Sequence, residues 1–164
     1  MTRDNLTKIT MLSDVELEYV IHFDAPLALV YEMWTEAEQL EQWCMPEGLD
    51  LKVVEQDVHV GGGLRWEWHD EDEYVTMGLS ADFVEVVPYS RIGLTEYWDG
   101  QPRSSATAHE ISFTREENAT KVTGVLTFVT ADLALGAATV IPQILDEQFA
   151  RAADYLSSQL SAAR

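Results

Sequence analysis

The chain has 164 residues, 46% hydrophobic and 10% aromatic, which is enough to close a core and far from a disordered composition. Ten basic residues stand against 29 acidic ones, a net charge of −19 that repels nucleic acid and anionic membranes, since little basic surface exists to displace counterions from phosphates. No run approaches the ~18 apolar residues of a membrane span. The lone Cys44 can close no internal disulfide, and the first residues lead into no apolar signal segment, so a cytoplasmic protein is expected.

Residues 1–14 are polar and unpatterned and read as a loose arm of one 164-residue domain. Alternation over 15–23 puts Val15, Leu17, Tyr19, Ile21 and Phe23 on one face of a strand. Pro26 then opens a helix whose inner stripe is Leu27, Val30, Tyr31 and Trp34. Thr35 and Glu38 have capping-box spacing and start a second helix, with Leu40, Trp43 and Cys44 inward and Pro46-Glu47-Gly48 at its end. Beyond it the period switches to two. Strands are expected over 49–58, around Leu64, Trp66 and Trp68, and from Val75 through Met77, Leu79, Ala81 and Phe83. Gly61-Gly62-Gly63 is a turn or bulge, and the acidic run at 70–73 is a hairpin tip. Strands over 91–98, 104–115 and 120–130 complete a meander, with Asp99-Gly100 closing one hairpin. Helical spacing returns in Ile141, Leu145, Phe149, Ala152, Leu156 and Leu160, so the last helix is expected to start near Ile141 with Pro142 in its first turn. A separate helical turn over 131–139, broken by Gly136, would lead into it.

The order strand, two helices, meander, long helix is an α+β arrangement. It resembles the helix-grip fold of the START/Bet v 1-like (SRPBCC) superfamily, and within it the branch named after the activator of the 90-kDa heat-shock protein's ATPase. The likeness rests on Phe23-Asp24-Ala25-Pro26 with Val30 and Trp34, on Leu40-x-x-Trp43 before Pro46-x-Gly48, on Asp57 ahead of Gly61-Gly62, and on Gly78 ahead of Glu85-Val86-Val87-Pro88. The family's usual Trp-aromatic-Gly-Pro is Trp43-Cys44-Met45-Pro46 here, and the common Gly-Trp near the start of the last helix is missing. The resemblance implies a curved antiparallel sheet of about seven strands around the C-terminal helix, with a cavity between them that often holds apolar ligands.

Candidate chemistry is sparse. The glycine run precedes a strand, not a helix, and so lacks the form of a phosphate loop. The four histidines show no metal-ligand spacing, and no cofactor or metal is expected. His22 and His69 fall on outward faces and His59 in a loop, whereas the alternation Thr107, His109, Ile111, Phe113 turns His109 inward. An inward imidazole is a satisfied core group or the polar anchor of a cavity. Glu96 and Tyr97 must point to opposite faces, and the sequence leaves open which one points in. Trp66, Trp68, Met77, Phe83, Trp98, His109 and Phe149 are the candidate cavity wall, each on the inner face of its own element. No catalytic residue is assigned. The expected function is binding of an apolar or amphipathic small molecule in a binding or stress-related domain. A polyketide cyclase or dehydratase type of enzyme, which the superfamily also contains, is the alternative, and a chaperone-partner role ranks lowest.

Overall fold

The computed structural model describes residues 7–162. Eight strands form one antiparallel sheet in the order β1-β2-β8-β7-β6-β5-β4-β3. In the chain, β1 (Lys8–Met11) and β2 (Glu16–Phe23) precede α1 (Leu27–Thr35) and α2 (Ala37–Trp43). There follow β3 (Asp50–Gln56), β4 (Gly63–His69), β5 (Val75–Val87), β6 (Arg91–Trp98), β7 (Thr107–Glu116) and β8 (Ala119–Thr127). The chain ends in α3 (Ala131–Ala162). The two short helices carry the chain from β2 to β3 at the far edge, and β8 returns to pair with β2.

Part of the expected loose arm is the strand β1, which pairs Ile9 with Tyr19 and Met11 with Leu17. It supplies hydrogen bonds to an edge that β2 would otherwise leave bare. The rest of the expected arm up to residue 6 lies outside the described residues. Pro26 sits one position ahead of α1, in extended backbone, and its carbonyl accepts the first helical bond from Val30 N–H at 3.1 Å. The expected capping box does not form. The Thr35 hydroxyl donates back to the Tyr31 carbonyl at 3.0 Å, and α2 begins after Glu36 without a side-chain cap.

The C-terminal helix is a single element of 32 residues, not a short turn followed by a helix from Ile141. Its true start signal is Thr130, whose hydroxyl accepts from Leu133 N–H at 3.2 Å. Pro142 lacks one N–H bond, a local loss that a helix anchored at both ends absorbs.

Register shifts between Val53 and Glu55, Trp68 and His69, and Phe83 and Glu85 bend the sheet, so that its concave side faces α3. Alternation along β2 buries Leu17, Tyr19, Ile21 and Phe23. The Phe149 ring of α3, 2% exposed, lies within 5.6–6.1 Å of the rings of Tyr19, Phe23, Trp34 and Trp43. Trp43 also donates its indole N–H to the Met33 carbonyl at 3.1 Å, locking α2 onto α1. Arg151 ties α3 to the carbonyl of Met45 just beyond α2. Truncating Phe149 to Ala is expected to destabilise the fold by about 3–5 kcal/mol. Denaturant unfolding checks this, and a loss below about half that value would place the ring outside the core.

Candidate functional site

The site begins with a missing side chain. Gly124 of β8 lies opposite Tyr19 on β2 and opposite Ile111 on β7. A Cβ at Gly124 would fall 1.9 Å from the Tyr19 ring, so only glycine lets that ring extend across β8. The Tyr19 hydroxyl thereby comes within 2.8 Å of His109 Nε2 on β7. On the other side of the imidazole, Nδ1 lies 2.8 Å from Glu96 Oε2 on β6. β2, β7 and β6, the first reaching over the intervening β8, thus contribute one phenol, one imidazole and one carboxylate to a continuous hydrogen-bonded chain.

An ionised carboxylate can only accept, so Glu96 holds the proton on His109 Nδ1, and Nε2 then accepts the Tyr19 O–H. All three groups are buried or nearly so: Tyr19 is 2% and Glu96 8% exposed. Burial, reinforced by the Glu96 carboxylate, holds the Tyr19 phenol well above its ordinary value of 10.0. Tyr19 therefore serves as a neutral hydroxyl, not a phenolate.

The chain borders a cavity of about 90 Å³ between the sheet and α3. The rest of its wall is mainly apolar, built from Leu64, Leu79, Ile92, Leu94 and Leu145 and from the rings of Tyr19, Trp34, Trp43, Trp66, Phe83 and Phe149. Gln56 and Gln148 add amide groups, and Gln56 Oε1 accepts the Trp66 indole N–H at 2.8 Å.

Of the residues expected on this wall, the structure gathers Trp66, Phe83, His109 and Phe149. Met77, Trp68 and Trp98 lie elsewhere. Met77 is 37% exposed because the rung Leu79 opposite Trp98 is the last between β5 and β6, and the earlier residues of β5 run on beyond it. Trp98, 39% exposed, ends β6 at the rim and lines a separate groove with Phe128, Leu133, Val140 and Ile141. Trp68 is buried between Trp98, stacked at 5.7 Å, and the Cys44 carbonyl, which accepts its indole N–H at 2.9 Å. Of the adjacent pair, Glu96 points in, while Tyr97 carries the Arg103 guanidinium over its ring at 3.9 Å.

Sequence reasoning missed Tyr19 and the pairing of Glu96 with His109. Two signals bore on Tyr19: a phenol on an otherwise hydrocarbon face needs a partner for its hydroxyl, and a glycine mid-strand marks a close approach. Among the described residues no group of three or more His, Cys, Asp or Glu side chains is placed to hold a metal ion. No helix among them is long and apolar enough to cross a membrane.

A curved antiparallel sheet gripping a long C-terminal helix over an aromatic cavity defines the helix-grip class. Within it, the chain belongs to the family described as Activator of Hsp90 ATPase homolog 1-like protein, whose profile matches residues 24–154. The fold is similar to a crystal structure of a Rhodobacter sphaeroides protein, at 19% identity and a TM-score of 0.86, covering 93% of this chain and 99% of that one. It is also similar to protein Ms6760 of Mycobacterium smegmatis, at 17% identity and a TM-score of 0.82, covering 94% and 99%. DynU16 of the dynemicin biosynthetic locus shares the fold at 18% identity and a TM-score of 0.65, with 90% of this chain covering 49% of that one. No curated protein gives a significant match.

Cys44 shares the cavity wall, and burial, with the Glu96 carboxylate nearby, pushes its thiol from 9.0 up to about 12. The unfolded chain therefore loses this proton first, so stability falls as pH rises above about 9 and goes on falling toward 12. Between pH 8 and 10 the loss from this one group is about 1 kcal/mol. Cys44→Ala is expected to lose correspondingly less over that interval, measured by urea unfolding at each pH.

Proposed function

We propose that the protein binds a small, mainly apolar molecule in the cavity between the sheet and α3, and anchors its polar end at Tyr19, His109 and Glu96. The observation that carries this reading is a buried, fully linked polar chain set into a mainly hydrocarbon and aromatic wall. A core needs no such chain for stability, since a buried polar network at best offsets its own desolvation. Few precisely placed polar groups in an apolar concavity are the usual form of a small-molecule site. The space limits the occupant. At about 90 Å³ the cavity is smaller than the ~150 Å³ that admits benzene and well below the ~300 Å³ of sites for larger ligands. A compact molecule of a few heavy atoms fits as the cavity stands, and a longer one requires α3 to yield near Leu145 and Gln148. The acidic surface and the lone, unpaired Cys44 support work in the cytoplasm, with a small molecule and neither nucleic acid nor membrane as partner.

His109→Phe is expected to weaken a compact alcohol roughly tenfold relative to a hydrocarbon of the same size, the worth of about one hydrogen bond. Tyr19→Phe, which keeps the ring, should shift selectivity in the same direction. Quenching of the wall tryptophans reports occupancy, and thermal melts establish that each variant is folded. Unchanged selectivity in both variants would remove the chain from the site.

The order carboxylate, imidazole, hydroxyl favours one second reading, a proton-transfer enzyme of the cyclase or dehydratase kind. Such an enzyme takes a proton from the carbon beside a carbonyl while a hydroxyl donates to the carbonyl oxygen, giving an enol. In heavy water the enol recovers deuterium at that carbon, so catalysed exchange into butan-2-one, followed by NMR and lost in Tyr19→Phe, is the expected sign of catalysis. Exchange at the buffer rate would leave binding as the whole function.

A further inference from the structure

We infer that the cavity selects molecules whose polar end donates hydrogen bonds, such as alcohols and amines, and rejects carboxylates and phosphates. This rests on the reading of the cavity as a ligand site and names the ligand's chemical class.

Among the described residues no lysine or arginine lines the cavity. The nearest basic side chain on α3, Arg151, is committed to the Met45 carbonyl. Four titratable groups face the space: Tyr19, Cys44, Glu96 and His109. Tyr19 and Cys44 are held in their neutral forms, so the local charge is set by Glu96 and His109 alone. With Glu96 ionised, that charge is −1 when the imidazole is neutral and zero when it is protonated. It is not positive in either state. An incoming anion meets at best a neutral pair and at worst a like charge, and gives up its hydration without a cation in return.

Hydrogen-bond direction points the same way. With Nδ1–H given to Glu96 and the Tyr19 O–H given to Nε2, both strong donors of the chain are spent internally. The phenol oxygen keeps a lone pair and the carboxylate only accepts, so the free capacity of the Tyr19–His109–Glu96 end is for accepting. The wall's other polar side chains, the amides of Gln56 and Gln148 and the Cys44 thiol, bring no positive charge. A ligand hydroxyl or amine completes it, whereas a carboxylate brings more acceptors. For a protonated amine the aromatic wall adds favourable ring faces, with Trp34, Trp43 and Trp66 among them. The net charge of −19 acts at longer range in the same sense.

The test uses one butyl chain with three head groups: butan-1-ol, butylamine and butanoate. NMR titration of the wall-tryptophan indole N–H resonances at neutral pH reads occupancy, and cyclopentane supplies an apolar reference. Butan-1-ol and butylamine are expected to bind at least roughly tenfold more tightly than butanoate. In Glu96→Gln, which keeps an acceptor toward His109 Nδ1, the gap between butylamine and butanoate should narrow by a similar factor. If cyclopentane binds but butanoate equals or exceeds the alcohol and the amine, the inference on ligand class falls and the cavity reading stands. If none of the four perturbs the wall, both fall.

Discussion

The long helix meets the sheet at Phe149. Its ring touches Tyr19 and Phe23 on β2 and Trp34 and Trp43 on the two short helices, so three separate stretches of chain bury their largest side chains against one residue. Aromatic rings of this size bury on the order of 150–250 Å² each. The curvature of the sheet has a use only because this cluster gives the helix something to rest on. Arg151, two residues further along α3, fixes the same junction from its polar side.

The cluster also explains why core and site are the same volume. Phe149, Trp34, Trp43 and Tyr19 hold α3 to the sheet and form one side of the cavity. Beyond the Tyr19–His109–Glu96 chain the wall is mostly hydrocarbon and aromatic, with the amides of Gln56 and Gln148 and the Cys44 thiol as its other polar groups. A polar chain there lies where dielectric shielding is weak, which strengthens its internal bonds and raises the cost of leaving any member unpaired. The same weak shielding gives the head group of a ligand its leverage, because an unmatched charge cannot fall back on water.

On the outer face, charge follows ordinary surface rules, with one exception tied to a glycine. Arg65 on β4 pairs with both carboxylate oxygens of Asp99, at 2.8 and 2.7 Å, and also donates to Ser80 at 3.1 Å. The pairing holds the Asp99 carboxyl below its ordinary range. A Cβ at Gly78 would lie 2.2 Å from Asp99 Oδ2, so the glycine makes room for the pair. Gly62 is constrained in a similar way, since a Cβ there would stand 2.2 Å from the Asp57 carbonyl oxygen. Two of the sequence motifs that resemble the family's therefore carry a glycine where any side chain would clash with its surroundings.

The order of elements from β2 onward, the inner faces of β2 and α2, most of that of α1 (the fully buried Met33 was not in the expected stripe), the inward turn of His109 and the family were legible in the sequence, because alternation and helical spacing record which side of each element is buried. The start of α3 was misplaced by weighting Pro142 over Thr130, a local error about caps. β1 was missed because a short edge strand gains its stability from the neighbour it pairs with, not from its own pattern. The site depended on tertiary structure for a different reason. Periodicity assigns a residue to a face but not to a position along it, and so it grouped Met77 and Trp98 with Phe83 although they lie toward the rim. It likewise could not bring Tyr19 to His109, 90 residues away in sequence. That meeting requires β8 to pair with β2 in the one register that sets Gly124 beneath the ring. Inter-strand register is a property of the assembled sheet, so the polar chain that gives the cavity its chemistry exists only once the sheet has closed around α3.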